Sequence, residues 1–189
     1  MTNIGVTGHR VLHDLDALIP AVDGVLKKIQ ARFARPFLVH SSLAEGADRL
    51  VVQRAFEVID AGLIVPLPLK KDEYLKDFSS DSRLVFLDLL GRANKVIELP
   101  VRPTRVAAYE SAGLYILDHV DVLVTLWDGR PPKGQGGTGQ IVLEARRRRI
   151  PTAWIYAVNY QTELIASKES TRKQGTVTYE DFPKEGPTQ

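Results

Sequence analysis

The chain has 189 residues, of which 44% are hydrophobic and 25% are charged; these values are typical of one globular domain and exclude a disordered or fibrous chain. Its 25 Lys and Arg residues nearly balance its 23 Asp and Glu residues, so no overall field favours nucleic acid or an anionic membrane. The chain contains no cysteine, which excludes disulfides and thiolate metal sites within it and fits a reducing compartment.

The N-terminal sequence TNIGVTGHR lacks the basic and apolar regions of a secretory signal peptide. No apolar run in the sequence approaches the roughly 20 residues that a membrane-spanning helix needs. We therefore expect a cytoplasmic protein without a membrane partner.

Short β-branched runs alternate along the chain with longer segments of helical period. The predicted strands are residues 3–7, 37–40, 63–66, 95–99, 122–127 and 152–156. The predicted helices are residues 15–33, 47–61 and 106–120, with a short helix expected at 70–78. This alternation is typical of α/β proteins. It predicts a Rossmann-like three-layer sandwich, in which helices cover both faces of a mostly parallel sheet.

The apolar density falls after residue 158, and the sequence SKESTRKQG follows. We assign residues 1–158 to the Rossmann-like domain and residues 159–189 to a C-terminal appendage that is partly extended or flexible. Its one strand-like piece is residues 176–182.

Three loops rich in small residues follow predicted strands: residues 7–10 (TGHR), 41–48 (SSLAEGAD) and 127–139 (WDGRPPKGQGGTG). Each loop by itself could be an ordinary turn or a helix cap. In an open parallel sheet, however, ligands bind beyond the carboxyl ends of the strands. The three loops are therefore expected to form one pocket for a phosphorylated ligand, with glycines and a helix N-terminus offering backbone N–H groups.

The candidate binding residues are the small, polar and charged members of these loops. They are Thr7, Gly8, His9, Arg10, Ser41, Ser42, Glu45, Gly46, Asp48, Asp128, Gly129, Gly134, Gly136, Gly137, Thr138 and Gly139. Arg10 is the natural phosphate partner, because a guanidinium can bind two oxygens at once. Asp48 could accept hydrogen bonds from a ribose or activate water, or it could simply stabilise a helix N-terminus.

Two aromatic residues and one basic run could either contribute to binding or be purely structural. Tyr74 could present its ring to a base from a lid, although a buried helix face is the simpler interpretation. Tyr109 is also a candidate for stacking. The four arginines at 146–149 match the C-terminal end of a helix better than a nucleic-acid surface, so nucleic acid is not the expected partner.

The remaining histidines, His13, His40 and His119, show no metal-ligand spacing with one another. No metal site is therefore expected. Phosphates could bring Mg²⁺ with them, but nothing in the sequence requires it.

The elements TGHR, SSLAEGADRLV, LPLKKDEYLKDF, DVLVTLWDG and GQGGTG, spread over residues 2–157, resemble the SLOG superfamily. That superfamily includes the LOG-type phosphoribohydrolases, the Rossmann domain of DprA and molybdenum-cofactor carrier proteins. The resemblance implies a Rossmann-like fold, a nucleotide-type ligand and association into a homo-oligomer. It does not by itself supply a reaction.

The sequence departs from the LOG pattern G-G-x-G-T-x-x-E, whose Glu is implicated in cleaving the N-glycosidic bond. Gln140 stands at the Thr position and Leu143 at the Glu position, while Glu144 comes one residue late. One residue rotates a side chain by about 100° around a helix, so Glu144 is expected to face elsewhere. The candidate catalytic acids are accordingly Glu45, Asp128 and Glu144, with none assigned.

Three functions follow from these observations. The first is a sensor or carrier module that binds a small nucleotide derivative. The second is a nucleotide N-glycosidase of phosphoribohydrolase type, and the third is a DprA-like protein associated with nucleic acid. The sequence favours the first and predicts no cofactor beyond the nucleotide-type ligand.

Overall fold

A computed structural model describes residues 1–132, 137–158 and 172–184. Seven strands form one sheet: β1 (Thr2–Gly8), β2 (Phe37–His40), β3 (Gly62–Leu67), β4 (Lys95–Glu98), β5 (Val122–Trp127), β6 (Thr152–Tyr156) and β7 (Val177–Glu180). Their order is β4-β3-β2-β1-β5-β6-β7, and every pairing is parallel except that of β6 with β7. The predicted α/β fold with a mostly parallel sheet is confirmed.

Six helices connect the described strands: α1 (Leu15–Arg32), α2 (Ala47–Ile59), α3 (Lys71–Leu75), α4 (Ser80–Gly91), α5 (Arg105–Asp118) and α6 (Thr138–Arg147). Helix α4 was not predicted from the sequence, because its own apolar side chains lie on all sides of the helix and give no clear helical period. It buries Phe86 and Leu89 in the core and leaves Leu84 and Leu87 exposed.

Strand β5 shows how helices cover both faces of the sheet. Its alternate residues Val122, Val124 and Leu126 belong to the large core that also contains residues of α1 and α2. The intervening residue Leu123 packs with residues of α5 and α6. Because successive side chains of a strand point to opposite faces, α1 and α2 cover one face and α5 and α6 cover the other. The described helices include none long and apolar enough to cross a membrane.

The strand-like piece predicted at 176–182 is present as β7, which lies antiparallel to β6. Arg146 on α6 binds Glu180 on β7 through two hydrogen bonds of 2.8 and 2.7 Å, and Lys28 on α1 lies 3.5 Å from the ring centroid of Tyr179. The described residues 172–184 therefore extend the main sheet. Residues 159–171 and 185–189 of the predicted appendage lie outside the described residues.

Candidate functional site

The strand order places the switch point of the sheet between β1 and β5, since the chain builds outwards on both sides of this pair. A cavity of about 520 Å³ opens at the carboxyl ends of these strands. Eight predicted site residues line it: Thr7, Gly8, His9, Arg10, Ser42, Asp48, Gly137 and Thr138. The loops after β1, β2 and β5 thus reach one cavity, in the place where open α/β sheets bind ligands.

Other predicted site residues lie near this cavity without lining it. Ser41 is fully buried behind it, and Gly139 packs against the loop after β5. Glu45 and Gly46 line a neighbouring groove. Asp128 is close to His9, and Gly129 follows it in a left-handed conformation with φ of 79°. Gly134 and Gly136 lie outside the described residues.

Helix α6 begins at the cavity. Its N-cap residue Gly137 has an ordinary φ of −92° and gives the helix no side-chain cap. The first turn of a helix carries unpaired N–H groups and a partial positive charge. Because Gly137 and Thr138 both line the cavity, this positive end of the helix is directed at whatever binds there.

Arg10 adds a cation to the same cavity. Its guanidinium lies 5.1 Å from the ring centroid of Tyr109, and the side chain makes no ion pair within the described part of the chain. The hydroxyl of Tyr109 donates to Asp77, which also accepts a 2.7 Å hydrogen bond from Arg105. The ring on which Arg10 stacks is therefore fixed, while the guanidinium remains available to an anion.

Asp48 is the buried acid of the cavity, with 7% of its surface exposed. Its carboxylate accepts a 2.7 Å hydrogen bond from the Ser41 hydroxyl and one from the N–H of Ala44. Burial raises the pKa of Asp48 to about 6, because the hydrogen bonds and nearby arginines offset only part of the desolvation. A buried acid with a raised pKa in a cleft is typical of functional sites.

The raised pKa of Asp48 predicts a pH-dependent cost to stability. The folded pKa of about 6 exceeds the ordinary aspartate value of 3.8, so the contribution of Asp48 is fully present below pH 3.8 and is lost as the pH rises through 6. We expect the unfolding free energy of the wild type minus that of Asp48→Asn to fall by about 2 kcal/mol between pH 4 and pH 7. Urea unfolding at a series of pH values measures this difference.

The matched control for Asp48→Asn is Asp88→Asn, which removes an exposed carboxyl from α4. Subtracting the control curve corrects for the change in net charge. A difference for Asp48→Asn that stays level with pH would contradict the raised pKa.

His9 is held at the cavity wall by Asp128. The backbone N–H of Asp128 donates to Nε2 of His9 over 3.1 Å, and the carboxylate lies 3.3 Å from the same nitrogen. Burial would raise the pKa of Asp128, but the neighbouring His9 ring and the hydrogen bond from the N–H of Arg130 lower it below its ordinary value. Asp128 is thus an ionised positioning group for His9, and its carboxylate does not line the cavity.

Glu144 faces away from the cavity. Its carboxylate binds Arg147 and Arg148 over 2.7 Å each, and these hydrogen bonds lower the pKa of Glu144 to about 2. Leu143, at the position of the LOG glutamate, is 49% exposed and does not line the cavity either. No acid of α6 therefore stands beside a ligand in this cavity.

The structure also places the remaining candidates Glu45 and Tyr74. Glu45 accepts a hydrogen bond from the hydroxyl of Ser82. Tyr74 belongs to the buried face, with ring centroids 4.9 Å from Phe78 and 5.7 Å from Phe86, and its edge reaches the cavity. Among the described residues, no group of three or more His, Asp or Glu side chains could hold a metal ion.

Sequence reasoning missed the wall that α5 contributes. Ala112, Gly113 and Ile116 line the cavity because α5 crosses from the edge strand β4 to the central strand β5. Pro68, after β3, was missed too. The run of small residues at 111–113 was the available signal, since small residues on a helix allow close packing, here of Gly113 against Ile141 of α6.

No protein-family profile matches the sequence, and no curated protein matches it. Several solved structures match in fold, among them two DNA processing proteins. DNA processing protein A (DprA) from Streptococcus pneumoniae is 14% identical with a TM-score of 0.55, and the match covers 93% of this chain and 59% of that one. DprA from Helicobacter pylori, described for its binding of single-stranded DNA, is 14% identical with a TM-score of 0.53, and the match covers 90% of this chain and 74% of that one.

At 14% identity these matches show the fold alone. The chain spans only 59% of the length of the Streptococcus pneumoniae protein. The fold is thus the Rossmann-like fold that the sequence resemblance implied.

Proposed function

We propose that this chain, which has a SLOG-like Rossmann fold, binds a nucleotide or a nucleotide-derived ligand at the carboxyl edge of its sheet, as a sensor or carrier module. The observation that carries the proposal is the convergence on one cavity of the N-terminus of α6, which has no side-chain cap, and of Arg10, which makes no ion pair with any described residue. Both are binding elements for phosphate, and they meet at the switch point of the sheet.

The rest of the cavity wall suits the other parts of a nucleotide. The Tyr109 ring and the apolar side chains of Pro68 and Ile116 offer surface to a base. Asp48 can accept hydrogen bonds from ribose hydroxyls, as acids do in dinucleotide folds. In this arrangement the phosphate lies at the first turn of α6, against Arg10.

Binding is favoured over hydrolysis because Glu144 is engaged by Arg147 and Arg148 and lies away from the cavity. The acid that remains in the cavity is Asp48, whose carboxylate is held in place by the hydrogen bonds from Ser41 and Ala44 and has acceptor positions left for a ribose. We expect AMP to bind without release of free adenine, which chromatography of the incubated mixture measures.

The ion pairs made by the arginines at 146–148 favour a small ligand over nucleic acid. Arg146 pairs with Glu180, and Arg147 and Arg148 pair with Glu144. Each pair neutralises positive charge that a phosphate backbone would need. The single-stranded DNA binding described for the Helicobacter pylori protein is therefore not transferred to this chain.

Substituting Arg10→Ala tests the proposal. AMP at 100 times its Kd should stabilise the wild type by about 2.7 kcal/mol, which thermal unfolding detects as a rise in Tm. Hydrogen bonds to charged groups contribute about 1.5–3 kcal/mol, so calorimetry of Arg10→Ala should show AMP affinity reduced roughly 10- to 100-fold.

The control is Arg102→Ala, which removes an exposed arginine that binds Ser111 and lies outside this cavity. It should bind AMP as the wild type does. If a panel of nucleoside mono-, di- and triphosphates produces no rise in wild-type Tm, the proposed function is wrong.

A further inference from the structure

A second cavity of about 680 Å³, here called the outer groove, adjoins the first. Arg10 and Val11 line both cavities and so form their common wall. The loop after β1 lies directly on Gly46, where an added Cβ would be 2.4 Å from the carbonyl oxygens of His9 and Arg10. Gly46, with φ of 74°, also lines the outer groove. The two cavities are therefore separated by only the width of one backbone segment.

The outer groove exposes apolar side chains. Val11 is 45% exposed, Leu15 48% and Val85 41%, and all three line it. They come from the loop after β1, the start of α1 and α4, so the structure brings them together from distant parts of the sequence. A concave surface that combines apolar side chains with a few polar groups is typical of small-molecule sites.

The polar groups of the outer groove include a buried guanidinium. Arg49 is 7% exposed, and its Nε donates to the Leu43 carbonyl and its Nη1 to Ser82. Its Nη2 is buried without a hydrogen-bond partner in the described part of the chain. Glu45 and Gln53 also line the groove and supply further hydrogen-bonding groups. A buried charged donor without an acceptor costs free energy, and such groups cluster at functional sites.

We propose that the outer groove holds the second nucleoside of a ligand in which two nucleosides are joined through phosphate groups. This inference rests on the proposed function. The first nucleotide occupies the cavity at α6, the linking phosphates cross the common wall at Arg10, and the second base lies on Val11, Leu15 and Val85. Ligand pockets typically measure about 300–1,000 Å³, so a mononucleotide fills one of these cavities and leaves the other empty.

Calorimetry with AMP and with diadenosine diphosphate tests the inference. The dinucleotide should bind the wild type at least about 10-fold more tightly than AMP does, because its second adenosine buries apolar surface in the outer groove. Diadenosine monophosphate with a 3′–5′ link, the chemistry of a nucleic-acid strand, serves as a third ligand and should bind less tightly than diadenosine diphosphate; single strands of deoxyadenosine of increasing length extend this comparison. It distinguishes a free dinucleotide with a diphosphate link from the end of a strand.

Two neighbouring positions of α4 give a matched pair of variants. Val85→Asp puts a charge into the outer groove, whereas Leu84→Asp puts the same charge on an exposed residue, 68% accessible, that does not line it. We expect Val85→Asp to lower the affinity for diadenosine diphosphate about 10-fold, to that of AMP, and to leave AMP binding unchanged. Leu84→Asp should leave both affinities unchanged.

The outcomes separate this inference from the proposed function. If AMP binds and the dinucleotide binds no more tightly, the inference fails and the proposed function stands. If neither ligand binds, both fail. Equal losses of AMP and dinucleotide affinity in Val85→Asp would also overturn the inference, as would affinity for single strands of deoxyadenosine that keeps rising beyond two nucleotides.

Discussion

Replacing Gly137 by Asp is expected to abolish nucleotide binding without harm to the fold. Gly137 is exposed, an added Cβ meets no atom of the described residues within 4 Å, and its φ of −92° is open to any residue. Asp is among the best N-cap residues, so its carboxylate should accept hydrogen bonds from the first turn of α6. The new charge then occupies the position proposed for the phosphate. We expect AMP affinity to fall more than about 100-fold while Tm stays level or rises.

The matched control is Gly137→Asn, which caps the helix without adding charge. It should stabilise α6 similarly, and it should lower AMP affinity less than Asp does. Calorimetry gives the affinities, and thermal unfolding without ligand gives the stability. Undiminished AMP binding by Gly137→Asp would show that the phosphate lies away from α6.

Replacing Gly46 by Ala is expected to destabilise the fold strongly. Gly46 has φ of 74° and ψ of −117°, a conformation that other residues adopt only at a cost of about 1–3 kcal/mol. The new Cβ would also displace the loop after β1, whose carbonyl oxygens lie 2.4 Å from its ideal position. We expect a loss of at least about 2 kcal/mol, or roughly 4 to 8 °C in Tm.

Gly24→Ala is the control for Gly46→Ala, because an added Cβ at Gly24, inside α1, meets nothing within 4 Å. Alanine is favoured over glycine in a helix, so this variant should gain about 0.5–1 kcal/mol. Urea unfolding of both variants measures the contrast. A Gly46→Ala variant as stable as the wild type would contradict the close packing of the two loops.

Much of the sheet could be predicted from local pattern. Residues 37–40, 122–127 and 152–156 coincide with β2, β5 and β6, because apolar runs between helical segments are buried strands. The prediction that the three loops lie at one edge required only that the strands be parallel, because the carboxyl ends of parallel strands lie at the same edge of a sheet. Helix α4 was missed because its apolar side chains give no single face.

The assignment of individual site residues depended on packing that local pattern does not contain. Ser41 and Ser42 are equivalent in sequence, yet Ser41 turns inward to Asp48 while Ser42 reaches the cavity and donates to the Pro66 carbonyl. Glu45 and Asp48 both fall in the predicted loop 41–48, yet Asp48 lies in the first turn of α2, and the two acids line different cavities. The expected outward direction of Glu144 followed from helix geometry alone, since one residue sets the angle.

The outer strands of the sheet have a consequence for how the protein behaves at high concentration. Strand β5 is buried at all six positions, and a strand of this kind would pair readily with other chains if its edge were open. It lies two strands inside β7, and the described sheet ends instead in β4 and β7, each four residues long. Lys95 and Glu98 stand at the two ends of β4, and Glu180 ends β7. Short strands that carry charge are poor templates for intermolecular pairing, so the strands most prone to aggregate are released only when the fold opens.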